Sequence, residues 1–108
     1  MNTNKFMRIL VFFDLPVKAK SDRKVATKFR DFLLKDGYHM VQFSVYARVC
    51  NGYDAVEKHE MRLNANLPSK GSVRMLVITE KQYESVRILV GKQTINDTYQ
   101  AAEQLSFF

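Results

Sequence analysis

Residues 38 to 49, YHMVQFSVYARV, decide the fold. Read as one strand, they leave a chain of three strands and two helices in alternation. Read as two, they make the order βαββαβ. Val41, Phe43, Val45, Ala47 and Val49 share one parity; Gln42, Ser44, Tyr46 and Arg48 share the other. The alternation predicts a half-buried strand with the valine side inward, preceded by a bulge or a short separate strand.

Upstream, MRILVFFDLP (7–16) carries apolar residues on both parities except at Arg8, which predicts a strand covered on both faces. It ends on a carboxylate, Asp14, which shares its side with Arg8, Leu10 and Phe12. Pro16 then stops the run, and LPVKAKSD (15–22) reads as a loop. Ser21 is the expected N-cap of a helix running to about Asp36, with Asp22 in its first turn and Gly37 ending it. Val25, Phe29, Phe32 and Leu33 supply its apolar stripe.

Downstream, CNG (50–52) is a turn signal, and a second helix is expected from Asp54 to about Asn66 with Val56, His59 or Glu60, Leu63 and Leu67 inward. SVRMLVIT (72–79) reads as a strand. A short helix over 80–89 follows, with Tyr83, Val86 and Val90 inward. The order points to an α+β, ferredoxin-like sandwich with both helices on one face of the sheet. The domain spans residues 1–92. Residues 93–108 form a polar tail that ends in apolar LSFF, a candidate edge strand. Apolar residues on both parities of the first and last strands leave a second face to cover, and a homodimer through the sheets is the economical cover.

Length and composition fit this reading. The 108 residues suggest one domain, and 46% hydrophobic content supports a core. The single cysteine, Cys50, excludes a disulfide framework and a thiolate metal cluster and suits a reducing, cytoplasmic setting. The start MNTNKFMR lacks the pattern of a signal peptide, and no apolar run is long enough to span a membrane.

The net charge of +6 is one-sided. Residues 1–50 hold ten Lys or Arg against four Asp, while residues 51–108 hold seven of each sign. An excess confined to the first half suits a polyanionic partner. Lys18, Lys20, Arg23, Lys24 and Lys28 cluster in the first loop and helix and are the expected phosphate contacts. Asp14 reads either as a local cap of the turn into Pro16 or as a ligand of Mg²⁺ or Mn²⁺. One carboxylate makes a poor metal site, but a two-fold dimer would bring a second copy. His39 and His59 have no zinc-site spacing and read as ordinary packing or surface residues.

These motifs together resemble one known family. MRILVFFDLP, then KFRDFLLKDGYHMVQFSVYARV, then KGSVRMLVITEKQY are similar to the CRISPR-associated protein 2 family, over roughly residues 6–92. The resemblance is closest to versions from systems with a single large effector nuclease. It implies a homodimer of ferredoxin-like domains that binds double-stranded DNA and bridges dimers of CRISPR-associated protein 1, the integrase subunit, during spacer acquisition. It also implies, for some members, a metal-dependent endonuclease acting on RNA or DNA, with the strand-end aspartate, Asp14 here, as catalytic residue and metal ligand. Ser44 and Arg48, in the matching QFSVY region, are the candidates for its support. Two other readings stand beside this one: a stand-alone Mg²⁺-dependent endoribonuclease, and a ferredoxin-like regulatory or ligand-binding module.

Overall fold

A computed structural model describes residues 6–92. The strands are β1 (Phe6–Asp14), β2 (His39–Gln42), β3 (Val45–Asn51) and β4 (Ser72–Thr79), and the helices are α1 (Lys20–Lys35), α2 (Tyr53–Asn64) and α3 (Glu80–Glu84). One antiparallel sheet has the order β2-β3-β1-β4. With β1-α1-β2-β3-α2-β4 in sequence, this is the ferredoxin-like arrangement. The expected tail strand lies outside the described residues.

The stretch 38–49 is two strands, not one. Gln42 pairs with Val45 across a tight turn at Phe43 and Ser44. Ser44 takes φ 64°, a conformation few non-glycine residues hold. Its carbonyl accepts the Phe13 N–H at 3.0 Å, which fixes the turn to β1. A bulge between Met40 and Gln42 shifts the register as well.

This geometry corrects the expected inward face. Tyr46 and Cys50 face α1 and α2 and belong to the main core with Met7, Ile9, Val11, Phe29, Leu33, Val56 and Leu63. Ala47 lies on the opposite face with Leu10 and Tyr83. Both parities of β3 are buried, so alternation alone could not name the core side. Phe13 ties the layers together. Its ring meets Phe29 edge-on at 5.3 Å and stacks on Tyr46 at 5.6 Å.

Helix ends differ in detail from the expectation. The N-cap of α1 is Ala19, not Ser21; the Asp22 carboxylate accepts the Ala19 N–H at 3.3 Å and does the capping from inside the first turn. In α2, Val56, His59 and Leu63 are buried while Leu67 is exposed. The last helix stops at Glu84. Thr79 and Gln82 form a reciprocal capping box at its start, and the Ser85 hydroxyl donates to the Gln82 carbonyl (2.6 Å) at its end. Val86 and Val90 are therefore not inward; they are 60% and 94% exposed. Among the described residues, no helix is long and apolar enough to cross a membrane.

Candidate functional site

Asp14 is the last residue of β1, opposite Ser72 of β4. Strand alternation puts it on the sheet face away from α1 and α2, in line with Arg8, Leu10 and Phe12. Its side chain is exposed, and among the described residues no hydrogen bond to its carboxylate occurs. A local cap of the turn into Pro16 is therefore absent. The backbone around it is tightly held. Gly71, at φ 91°, lies so close that a Cβ there would sit 2.6 Å from the Asp14 carbonyl oxygen.

The other end of the same face is built differently. Arg8 is fully buried and donates from Nε and Nη2 to both Glu80 carboxylate oxygens, at 2.6 and 3.0 Å. Its guanidinium lies 4.1 Å from the centre of the Tyr83 ring. This pair holds α3 against the sheet. One strand thus carries a buried, paired cation at its start and a bare carboxylate at its end.

A hard divalent cation takes six or more oxygen ligands. Among the described residues, no three His, Cys, Asp or Glu side chains gather around a common point. One copy of Asp14 does not by itself make such a site; a second carboxylate and the oxygens of a bound phosphate would have to complete it.

The basic residues do come together. Lys20, Arg23, Lys24 and Lys28 line one open groove of about 730 Å³ along α1, extended by Lys35 and by Asn66 from the loop after α2. Lys18 stays in the preceding loop, and Arg23 braces that loop by donating to the Val17 and Lys18 carbonyls at 3.1 and 2.8 Å. Asp22 is turned to the other side, 3.8 Å from Lys70, so Asp31 is the one acid lining the groove. Charge counting located the cluster. Lys35, Thr27 and Asn66 were missed, although Lys35 sits seven residues after Lys28, two turns along the same helix face.

Ser44 lies at the hairpin tip beside the end of β1, where its carbonyl accepts the Phe13 N–H. Arg48 is set apart. It pairs with Ile9, five residues and roughly 17 Å along β1 from Asp14, on the opposite face. It donates to the Asp36 carbonyl (2.6 Å) and the Val49 carbonyl (2.7 Å), lying over Gly37. There it braces the C-terminus of α1.

Asp36 is the hub of that brace. Its carboxylate accepts from His59 Nδ1 and Arg62 Nη1, both at 2.8 Å, joining α1 to α2. Burial pushes the Asp36 carboxyl up, but the bonds from His59 and Arg62 outweigh it and leave it below the ordinary value. Burial also holds His59 below the usual imidazole range, against the pull of Asp36. A neutral ring whose Nδ1–H donates to the carboxylate satisfies both directions. His59 is thus a structural tie. Cys50 is buried with its thiol pushed up by burial, which makes it a poor nucleophile.

Fold and site together define a small ferredoxin-like domain with a cationic helix and an exposed aspartate closing its first strand. A family profile for the CRISPR associated protein Cas2 matches residues 7–86. The CRISPR-associated endoribonuclease Cas2 of Acidovorax ebreus (strain TPSY) is 57% identical over 102 residues, covering 94% of this chain and 100% of that protein. Its namesake in Ligilactobacillus salivarius (strain UCC118) is 44% identical over 98 residues, 91% of this chain and 96% of the relative. That of Campylobacter jejuni subsp. jejuni serotype O:2 is 42% identical over 108 residues, 100% of this chain and 76% of the relative. The chain belongs to the Cas2 family.

Proposed function

We propose that this chain acts as a homodimeric scaffold that binds double-stranded DNA during CRISPR spacer acquisition and bridges dimers of the integrase subunit, CRISPR-associated protein 1. The observation that carries the reading is the groove along α1, where five cations face one acid. Phosphate contacts of this kind fix a duplex in place without reading its bases, which is what capturing foreign DNA of any sequence requires. The open face of the sheet supports the dimer. Phe12 and Leu76 stay exposed on the face that α1 and α2 do not cover, and α3 shields that face only near Arg8. A second copy seated there would cover both.

The exposed Asp14 carboxylate supports a second reading, a metal-dependent endonuclease on RNA or DNA, in line with the names of the relatives. In a dimer through the sheets, both copies of Asp14 would hold Mg²⁺ or Mn²⁺. The ion would supply an activated water and offset charge on the phosphodiester. The lysines of α1 would bind the strand.

The test of the scaffold is a salt titration with a short blunt duplex. Lys24→Glu with Lys28→Glu should weaken binding by at least about tenfold at low salt and flatten the salt dependence by about two charges. In reconstitution with the integrase subunit, the same variant should lose insertion of the duplex. Unchanged binding and unchanged salt slope would sink the proposal.

A further inference from the structure

A second groove, of about 300 Å³, lies between α1 and the β2–β3 hairpin. Its floor is aromatic and apolar, from Phe13, Tyr46, Met40 and Leu15. Its lining includes Arg23 and Arg30 and no acid. It shares Arg23 and Thr27 with the lysine groove, so the two run into one another. At its rim stands Phe43, 86% exposed, on a hairpin tip that the Ser44–Phe13 backbone bond holds in place. The core needs nothing from that ring, yet the turn presents it next to two guanidinium groups.

We propose that this groove takes the base of an unpaired nucleotide, stacked on Phe43, while its backbone continues along the α1 lysines. The inference rests on the nucleic-acid reading above and extends it to single-stranded ends or splayed bases. Three features select this occupant. A flat aromatic base matches an aromatic, apolar floor. A phosphate on either side of it matches Arg23 and Arg30. Continuity with the cationic groove supplies the rest of the strand. A purely apolar peptide would bring no anion to a groove lined by two arginines and no acid. A paired duplex keeps its bases stacked inside and cannot offer one to Phe43.

The experiment measures affinity by fluorescence anisotropy for oligo-dT and oligo-U of about 15 nucleotides and for a blunt duplex. The full chain is compared with Phe43→Ala, Phe43→Tyr and the double variant Lys24→Glu/Lys28→Glu. Phe43 is exposed, so its truncation leaves the fold intact, which far-UV circular dichroism checks. Phe43→Ala should weaken single-strand binding about 5- to 150-fold, the range for loss of one stacked base, and the duplex less than about twofold. Phe43→Tyr should keep single-strand affinity. A 2-aminopurine in the oligonucleotide should lose fluorescence on binding the full chain and not on binding Phe43→Ala. A loss on oligo-dT alone or on oligo-U alone also supports the groove and names the sugar it accepts. If the lysine variant weakens every probe and Phe43→Ala weakens none, or weakens strand and duplex alike, the base site is wrong and the phosphate track stands. If the lysine variant changes nothing, the nucleic-acid reading fails and the base site falls with it.

Discussion

The two faces of β1 treat similar residues in opposite ways. Toward the helices, Met7, Ile9, Val11 and Phe13 are all apolar and pack against α1 and α2, with the Asp36–His59–Arg62 tie at the edge of the layer. Away from them, Arg8, Leu10, Phe12 and Asp14 run from full burial at one end to an exposed side chain at the other in seven residues. The first face is complete within one chain. The second is complete only at the Arg8 end, where α3 closes it. Stability is thus concentrated on one side of the strand, and the exposed residues sit at the far end of the other.

The contrast breaks most severely on the closed face. Phe29 is buried between the helix and Phe13, and Phe29→Ala should lower unfolding free energy by about 3–5 kcal/mol, read from urea denaturation. Glu80→Ala tests whether the Arg8 end belongs with the closed face. It leaves a buried guanidinium without its carboxylate and should cost about 3 kcal/mol, with faster amide exchange in α3. A loss below about 0.5 kcal/mol would place Arg8 with the open end instead.

A smaller effect comes from pH. His59 is held below the imidazole range, so the unfolded chain takes up the proton first. Stability is therefore fully present above the unfolded pKa of about 6.5 and falls as pH drops below it. Asp36, also held low, adds a further fall below about pH 4. Thermal melts from pH 8 to 3 should show both steps. His59→Gln, which keeps an N–H for Asp36 but does not titrate, should remove the upper step alone.

The smallest expected change in stability is at Asp14. Asp14→Ala should alter it by less than about 0.5 kcal/mol and leave dimer mass and duplex binding unchanged. Any Mg²⁺- or Mn²⁺-dependent cleavage should vanish in the same protein. Loss of the dimer on this substitution would make Asp14 a structural residue and erase the contrast between the ends of the strand.

Much of this contrast was legible in the sequence. The run from Met7 to Pro16 gave the strand, its terminal carboxylate and the companions on its side, because apolar runs, Pro and Asp act locally. The lysine cluster was legible because its charges crowd together along the chain with Asp22 as the one acid among them. The inward side of β3 was not, because Tyr46 and Ala47, like Val49 and Cys50, are both buried, and a period of two carries no sign when both sides are covered. Nor was the turn at Ser44, since a serine in a left-handed conformation has no local signal where glycine or asparagine would have announced one. The end of α3 was missed because Val86, Leu89 and Val90 look like core residues until Ser85 is seen closing the helix. The Asp36 hub joins residues 23 and 26 positions apart and is a property of packing alone.

Gly71 carries a mechanical consequence. With its hydrogen a short distance from the Asp14 carbonyl, there is no slack between the loop before β4 and the end of β1. The contact falls on the main chain of Asp14 and on Leu15, so a side chain at 71 would wedge the two strands apart at that end. The backbone that carries the aspartate is seated by a neighbour that has no side chain of its own.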